Sequence, residues 1–293
     1  MKTRKKTIII FGTLLILAIG VFLILYFGII KNNSHKHDFK YKIGFFIGAD
    51  KLSVSKFSDY ETVVIDVTNY SKEDIQKFHK EGHKVYAYLN IGSLEKYRTY
   101  YDSFSDLSMG KYPNWDDEVK IDVTSKRWQD YVVEVLGKNI SQKDVDNFFI
   151  DNTDLYYYMK DQENSEGIYN GLLKIVERLN KYKPKLIING GDYFVQRLFK
   201  ENKTNLISGI NQESVFTTYS VRDDGKLTYK NQSKDDVEYF LNYFKLCKKH
   251  KLSVSLIEYT KDKKMINKVK SFCKKNNYTY FITESNKLNK VLK

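Results

Sequence analysis

Cysteine and proline each occur only twice in the 293 residues. Two cysteines exclude a disulfide framework and a zinc ribbon, and two prolines exclude a proline-rich linker. Histidine is scarce too, and His79, His83 and His250 fall within or just after helical patterns, not at the ends of apolar runs. There is no G-x-S-x-G elbow, and the Asn189-Gly190-Gly191 turn lacks the lysine that a phosphate-cradling loop needs. What is present is a chain with 42% apolar residues, too many for a disordered protein and enough for a sizeable core. It carries 49 basic and 36 acidic side chains, a formal charge of +13, and 24 tyrosines beside 18 phenylalanines. Tyrosine serves both as strand filler and as a flat polar surface.

Residues 7–30 run for 24 positions without a charge. As a helix rising 1.5 Å per residue, such a run spans a hydrocarbon core of about 30 Å. Lys2, Arg4, Lys5 and Lys6 precede it, a basic flank that stays cytoplasmic and leaves the following chain outside. A cleaved signal peptide has a shorter apolar stretch, about 7–15 residues, closed by a small-residue site. Here the run ends Phe27-Gly28-Ile29-Ile30, with no A-x-A and no following cysteine to carry a lipid. The expectation is a cytoplasmic flank over 1–6, a transmembrane signal-anchor over 7–30, a polar linker over 31–42 holding His35 and His37, and one outer domain over 43–293. The protein is expected at the cell membrane as a single-pass chain with its outer domain extracellular, or secreted if the N-terminal segment is cleaved. The part beyond the anchor carries +9, but its lysines are spread along helices without an aromatic-basic motif, so no nucleic acid partner is expected.

That outer part repeats one beat. Short apolar runs at 43–49, 62–66, 85–90, 147–151, 185–189, 206–213, 252–258 and 278–283 are of strand length and rich in β-branched and aromatic residues. Helical patterns separate most of them. Ser71 opens one with Asp74 as its acidic N3 partner, and others begin at Ser125, Ser165, Asp192, Ser233 and Asp262. Strand–helix alternation with continuous apolar strands implies a parallel sheet buried on both faces. Eight such units in about 245 residues match a closed (β/α)8 TIM barrel, with a doubly wound open sheet as the alternative. One long excursion, 98–123, follows the third strand and holds Trp115 and a short apolar element at 119–121.

Barrel active sites lie at the carboxyl ends of the strands. The residues closing the runs are Asp50, Asp66, Asn90, Asp151, Asn189, Glu213 and Glu258, with Glu284 just past the last. Asp and Asn are ordinary turn and cap residues, but glutamate is not, and a barrel converges all these ends on one pocket. The inventory restricts the chemistry. With no histidine at a strand end, no zinc or iron site is expected, and with no lysine there, no Schiff base. Carboxylates and amides without metal, cofactor or nucleophilic serine suit glycosidic cleavage, which uses one carboxylic acid and one carboxylate. Tyr86, Tyr88, Tyr156, Tyr157, Tyr158, Tyr193 and Tyr219 lie in or beside these segments, placed to stack on sugar rings.

Five motifs in order resemble glycoside hydrolase family 114. The strand Val85-Tyr86-Ala87-Tyr88-Leu89-Asn90 running into Ile91-Gly92-Ser93-Leu94-Glu95-Lys96-Tyr97-Arg98 is similar to that family's third-strand motif. Phe149-Ile150-Asp151-Asn152-Thr153-Asp154 is similar to its Asp-Asn-x-Asp motif, and Asn211-Gln212-Glu213 to its sixth-strand signature. Val64-Ile65-Asp66 and Val119-Lys120-Ile121-Asp122-Val123 also fit. The resemblance implies an endo-acting α-1,4-polygalactosaminidase, or a relative cutting another amino-sugar polymer. It implies Asp151 and Glu213 as the catalytic pair, with Asp151 favoured as nucleophile and Glu213 as acid/base. It implies Asp66, Tyr88, Glu95, Arg98, Asn152 and Asp154 as shapers of the sugar subsites, and Asn90, Asn189 and Glu258 at the strand ends, with Tyr219 beside the sixth strand, are expected as further substrate contacts. Two departures are Ile187-Ile188-Asn189-Gly190-Gly191 at the fifth strand and Ser214 where many members have cysteine. The second reading is a degenerate barrel that holds an extracellular polysaccharide without cutting it; a third is a binder of anionic surfaces driven by charge.

Overall fold

The computed structural model describes residues 38–290, apart from positions 114, 184 and 223. The expected membrane segment over 7–30 lies outside the described residues. Among the described residues no helix is long and apolar enough to cross a membrane.

Among the described residues thirteen strands follow one another: β1 Tyr41–Phe46, β2 Tyr60–Ile65, β3 Lys84–Asn90, β4 Ser93–Glu95, β5 Ser108–Tyr112, β6 Trp115–Ile121, β7 Asn147–Asp151, β8 Leu186–Asn189, β9 Ile207–Glu213, β10 Thr217–Val221, β11 Leu227–Asn231, β12 Ser253–Tyr259 and β13 Thr279–Thr283. Eight form one parallel sheet in the order β1-β2-β3-β7-β8-β9-β12-β13. These are the eight apolar runs of the sequence. The sheet is a nearly closed barrel. Phe281 on β13 meets Phe45 and Phe46 on β1 at 5.9 and 5.5 Å across the remaining seam, and Phe45 meets Phe149 at 5.4 Å in the interior. Aromatic side chains thus fill the barrel below its carboxyl end.

Helices cover the outside, and their starts follow the sequence signals. Ser71 and Asp74 form a reciprocal capping box on helix Lys72–Lys80. The side chains of Ser233 and Asp262 accept backbone N–H groups at the starts of Lys234–Lys249 and Lys263–Asn276. Helix Ser165–Leu179 buries Ile168, Leu172, Ile175, Val176 and Leu179, a spacing of three and four that presents one face to the sheet. Cys247 and Cys273 are free and buried as apolar packing, and burial pushes both thiols up to about 12.

Two additions decorate the carboxyl end. The excursion after β3 folds as a three-stranded antiparallel sheet, β4-β6-β5, and residues 217–231 form the hairpin β10–β11. Neither sheet was expected. Gly92, where the excursion leaves β3, lies so close to the β7 loop that a Cβ there would stand 1.9 Å from the Asn152 carbonyl oxygen.

Candidate active site

Register and alternation decide which side chains face the barrel interior. Asn90 pairs with Asp151 between β3 and β7, Asn189 with Asn211 between β8 and β9, and Asn211 with Ser255 between β9 and β12. Successive strand residues alternate sides. Asn211 and Glu213 therefore share one face of β9, as Ser255 and Tyr259 share one face of β12. These four and Asp151 converge with Asn189 at the carboxyl end.

The centre of the site is one amide. Asn189 Nδ2 donates to Asp151 Oδ1 at 2.9 Å and to Glu213 Oε1 at 3.0 Å. Two oxygens held by one nitrogen at those distances lie within about 6 Å of each other. The amide is itself oriented. Ser255 Oγ donates to Asn211 Oδ1 at 2.8 Å, and Asn211 Nδ2 donates to Asn189 Oδ1 at 2.7 Å, which turns the Asn189 amino group toward the carboxylates. Glu213 also accepts from Tyr259 Oη at Oε2, 2.5 Å away. Asp151 Oδ1 accepts the Asn152 N–H at 2.9 Å, while its Oδ2 takes no hydrogen bond from the described residues. Burial, with the charge of Glu213 adding to it, pushes Asp151 well above the usual carboxylate range, against the pull of Asn189. Two negative charges this close favour sharing one proton.

The other residues expected at the site fall into three groups. The first is a wall of paired charges. Arg98 donates through Nε to Glu95 at 2.5 Å and through Nη1 to Asp66 at 2.6 Å. Burial opposes the guanidinium charge, but the two acids more than offset that and hold it charged. Glu95 also accepts from Tyr88 at 3.1 Å and from Tyr97 at 2.6 Å. Tyr88, Glu95 and Asn90 are buried.

The second group ties the β7 loop to the excursion. Asn152 adopts left-handed backbone with φ +62°, which asparagine tolerates better than most residues. Its Nδ2 donates to Ser93 Oγ at 2.6 Å and to Glu118 Oε2 at 2.9 Å, and Ser93 in turn donates to Glu118 and accepts from Asn90. Burial pushes Glu118 up to about 7, with hydrogen bonds from Ser93 and Asn152 pulling down and Glu95 pushing up. Tyr112 on β5 donates to Asp154, whose carboxyl burial pushes up to about 6. Gly191, next to the β8 end, has φ +59°, and a Cβ there would meet Thr153 Oγ1 at 1.9 Å, so this loop and the β7 loop pack without room for a side chain.

The third group comprises Tyr219 and Glu258. The Tyr219 ring meets Tyr259 edge-on at 4.8 Å, which places it beside Glu213. Glu258 does not reach the pocket. It is 0% exposed and lies on the opposite face of β12 from Ser255 and Tyr259. Its carboxylate accepts from Val215 N, Phe216 N, Thr217 N and Thr217 Oγ1 at 2.6–3.0 Å, clamping the turn after β9. The expected substrate contact is thus corrected to a structural clamp. Sequence reasoning passed over Asn211, Ser255, Tyr259 and Glu118. Strand alternation points to the first three; nothing local marks Glu118.

Among the described residues, no group of three or more His, Cys, Asp or Glu is arranged to hold a metal ion. The arrangement is two carboxylates from different strands, one amide between them and further acids around them, suited to moving a proton to one oxygen while another oxygen attacks carbon.

A family model described as glycoside hydrolase family GH114 matches residues 30–291. The glycoside hydrolase domain of PelA from Pseudomonas aeruginosa superposes with a TM-score of 0.72, at 16% identity over 85% of this chain and 96% of that one. Ega3 of Aspergillus fumigatus, solved in complex with galactosamine, gives a TM-score of 0.62, at 17% identity over 86% of this chain and 92% of that one. An uncharacterized protein of Methanocaldococcus jannaschii is 24% identical over 143 residues, covering 45% of this chain; the match spans less than half, 41%, of that curated relative.

Proposed function

Because the chain belongs to glycoside hydrolase family GH114, we propose that it cuts an amino-sugar polysaccharide of galactosamine type internally, with Asp151 and Glu213 as its catalytic pair. The observation that carries this reading is the shared Asn189 amide, which holds one carboxylate oxygen from β7 and one from β9 within about 6 Å of each other. The substrate class is supported by the acids around that gap, Asp154 and Glu118 among them, and by the galactosamine complex of Ega3.

The separation favours retention of anomeric configuration. Retaining glycosidases hold their carboxyl groups about 5–5.5 Å apart and inverting ones about 6.5–9.5 Å, and oxygens bridged by one nitrogen lie at most about 6 Å apart, nearer the retaining spacing. Asp151 is the nucleophile in this reading because its Oδ2 is unengaged, whereas both oxygens of Glu213 are held. Burial and the charge of Glu213 make Asp151 retain a proton more readily than an ordinary carboxyl. An ammonium on C2 of a bound galactosamine lies beside the anomeric carbon and favours the ionised Asp151, so the shared proton moves to Glu213. Glu213 then protonates the leaving oxygen as Asp151 Oδ2 bonds to C1. Water, deprotonated by Glu213, releases the sugar from Asp151 in the second step.

The 24 uncharged residues at 7–30 and the basic flank before them support tethering to the cell membrane, with the barrel outside as a single-pass extracellular domain. Protease treatment of intact cells tests this, since an outward domain is digested and an inward one is spared. The function is tested by reducing-end release from galactosamine, N-acetylgalactosamine, glucosamine and uronic-acid polymers. Wild type should cut the galactosamine polymer, and Asp151→Asn and Glu213→Gln should lose at least about a thousandfold in kcat. Unchanged release by both variants removes the assignment; retention of polymer without cleavage by wild type moves the protein to the binding reading.

A further inference from the structure

The excursion after β3 carries an acid that the catalytic pair does not use. Between β4 and β6, Ser93 stands opposite Lys120 and Glu95 opposite Glu118. Residues directly opposite, and residues two apart on one strand, share a face of a sheet. These four therefore lie on one side of the excursion, the side on which Ser93 and Glu118 bond Asn152. Two acids directly opposite each other are unfavourable in a sheet. Glu95 is compensated by Arg98, whereas Glu118 forms no ion pair among the described residues, with Lys120 or any other cation. What holds Glu118 is a set of neutral donors.

Those donors form a closed account. Asn90 Nδ2 donates to Ser93 Oγ at 2.7 Å, and Asn152 Nδ2 donates to the same oxygen at 2.6 Å. A hydroxyl has two lone pairs and one proton. With both lone pairs taken, the Ser93 proton needs an acceptor, and that acceptor is Glu118 Oε2. The second hydrogen of the Asn152 amide goes to the same Oε2 at 2.9 Å. Asn90, Ser93 and Asn152 are buried, so removal of Glu118 leaves two hydrogens without partners.

The account ends at Asp151. The anchored residue, Asn152, has φ +62°, and this angle sets the tilt of the peptide between positions 151 and 152 relative to the anchored side chain. In that tilt the Asn152 N–H meets Asp151 Oδ1 at 2.9 Å. The same Oδ1 receives Asn189 Nδ2, so one oxygen is held twice and Oδ2 is left to react. Left-handed backbone is seldom adopted by residues other than glycine, and the grip on the Asn152 side chain is what keeps it here.

We propose that Glu118 is a positioning residue for Asp151: acting through Asn152, it keeps the peptide N–H on Oδ1 and so presents Oδ2 to the anomeric carbon. The proposal rests on the glycosidase reading for the reaction, but the grip is measurable without catalysis.

The test uses the full chain in detergent, with kcat and KM on galactosamine polymer and with exchange of the Asn152 backbone amide followed by NMR after 15N-asparagine labelling. Glu118→Ala should lower kcat about tenfold with KM little changed, and should speed exchange of that amide about tenfold. Ser93→Ala, which removes the relay with a smaller change, should act in the same direction and serves if Glu118→Ala does not fold. Glu118→Gln keeps a carbonyl oxygen as acceptor and should restore both kcat and slow exchange to within about twofold of wild type. Asn152→Gly removes the side chain on which Glu118 acts, so Glu118→Ala should have no further effect on kcat in that background. An equal loss in both backgrounds overturns the proposal, as does a raised KM with kcat unchanged, which would put Glu118 on the sugar. Glu118→Gln as poor as Glu118→Ala also overturns it, because the charge and not the acceptor would then matter. Unchanged amide exchange in Glu118→Ala and Ser93→Ala overturns it even if the polymer is cut. If wild type cuts no polymer but Glu118→Ala alone of the two Glu118 variants frees the amide, the grip stands and the glycosidase reading fails.

Discussion

Asn189 gives the sharpest test of the geometry. Its side chain makes three hydrogen bonds: two donated to Asp151 and Glu213, and one accepted from Asn211. Hydrogen bonds to charged groups contribute about 1.5–3 kcal/mol each. Only the part that differs between ground and transition state reaches kcat. If about half of each donated bond does so, Asn189→Ala should lower kcat about 10²-fold, near 3 kcal/mol. The same change leaves one donor of the fully buried Asn211 without its partner, which should cost about 1–3 kcal/mol of stability. Asn189→Asp is nearly isosteric but replaces the donor with a third acid between two others. It should be less active than the alanine variant, whose smaller side chain admits a water to bridge the pair. Steady-state reducing-end assays at several substrate concentrations separate the contributions. A rise in KM with kcat unchanged would mean that Asn189 touches the sugar rather than the carboxylates, as its place at a strand end first implied. Full activity of Asn189→Asp would refute the bridging role outright.

Tyr259→Phe removes the donor on Glu213 Oε2 and leaves that carboxyl free to turn, which should lower kcat about tenfold with KM little changed in the same steady-state assay. Asp154→Asn should act oppositely on stability and activity. The Asp154 carboxyl is raised from 3.8 to about 6 in the folded state, so its proton favours folding fully below 3.8, and that contribution is lost as pH rises through 6. The asparagine variant should therefore unfold several degrees higher than wild type at pH 8 and at the same temperature at pH 3.5, by thermal melts, while its KM for a cationic oligomer rises. Glu258→Gln disturbs a buried carboxylate with four donors around it; it should lower stability by about 2–4 kcal/mol and keep kcat in the folded fraction, measured by urea titration beside activity.

The barrel was legible because its strands are buried on both faces. Continuous runs such as 147–151 and 206–213 cannot be helices at that length, and they fell within one or two residues of β7 and β9. The hairpin β10–β11 was not legible. It is half in water, its residues are polar, and its pairing depends on the turn at Gly225 rather than on apolar content. The three-stranded excursion showed only its buried end, Val119 and Ile121, since the outer part of β6 is exposed. At the site, reading the last residue of each run found Asp151, Asn189 and Glu213 but could not separate inward from outward. Alternation would have done so on β12, putting Ser255 and Tyr259 inside and Glu258 outside. Glu118 had no signal, because what makes it part of the pocket is its contact with Ser93 and Asn152 across 25 and 34 positions of chain.

A chain of +13 is an unpromising partner for a cationic polymer on net charge alone. Net charge, however, acts over distance, and salt screens it beyond roughly 8 Å under physiological conditions. Inside the pocket the balance reverses. Asp151, Asp154, Glu118 and Glu213 stand near one another, and the guanidinium of Arg98 is already engaged by Glu95 and Asp66. Held in a partly dry cleft, these acids interact far more strongly with an ammonium than exposed lysines do. The raised proton affinities of Asp151, Asp154 and Glu118 are the sign of that arrangement: burial and nearby negative charge both oppose their ionisation, and a cation relieves each.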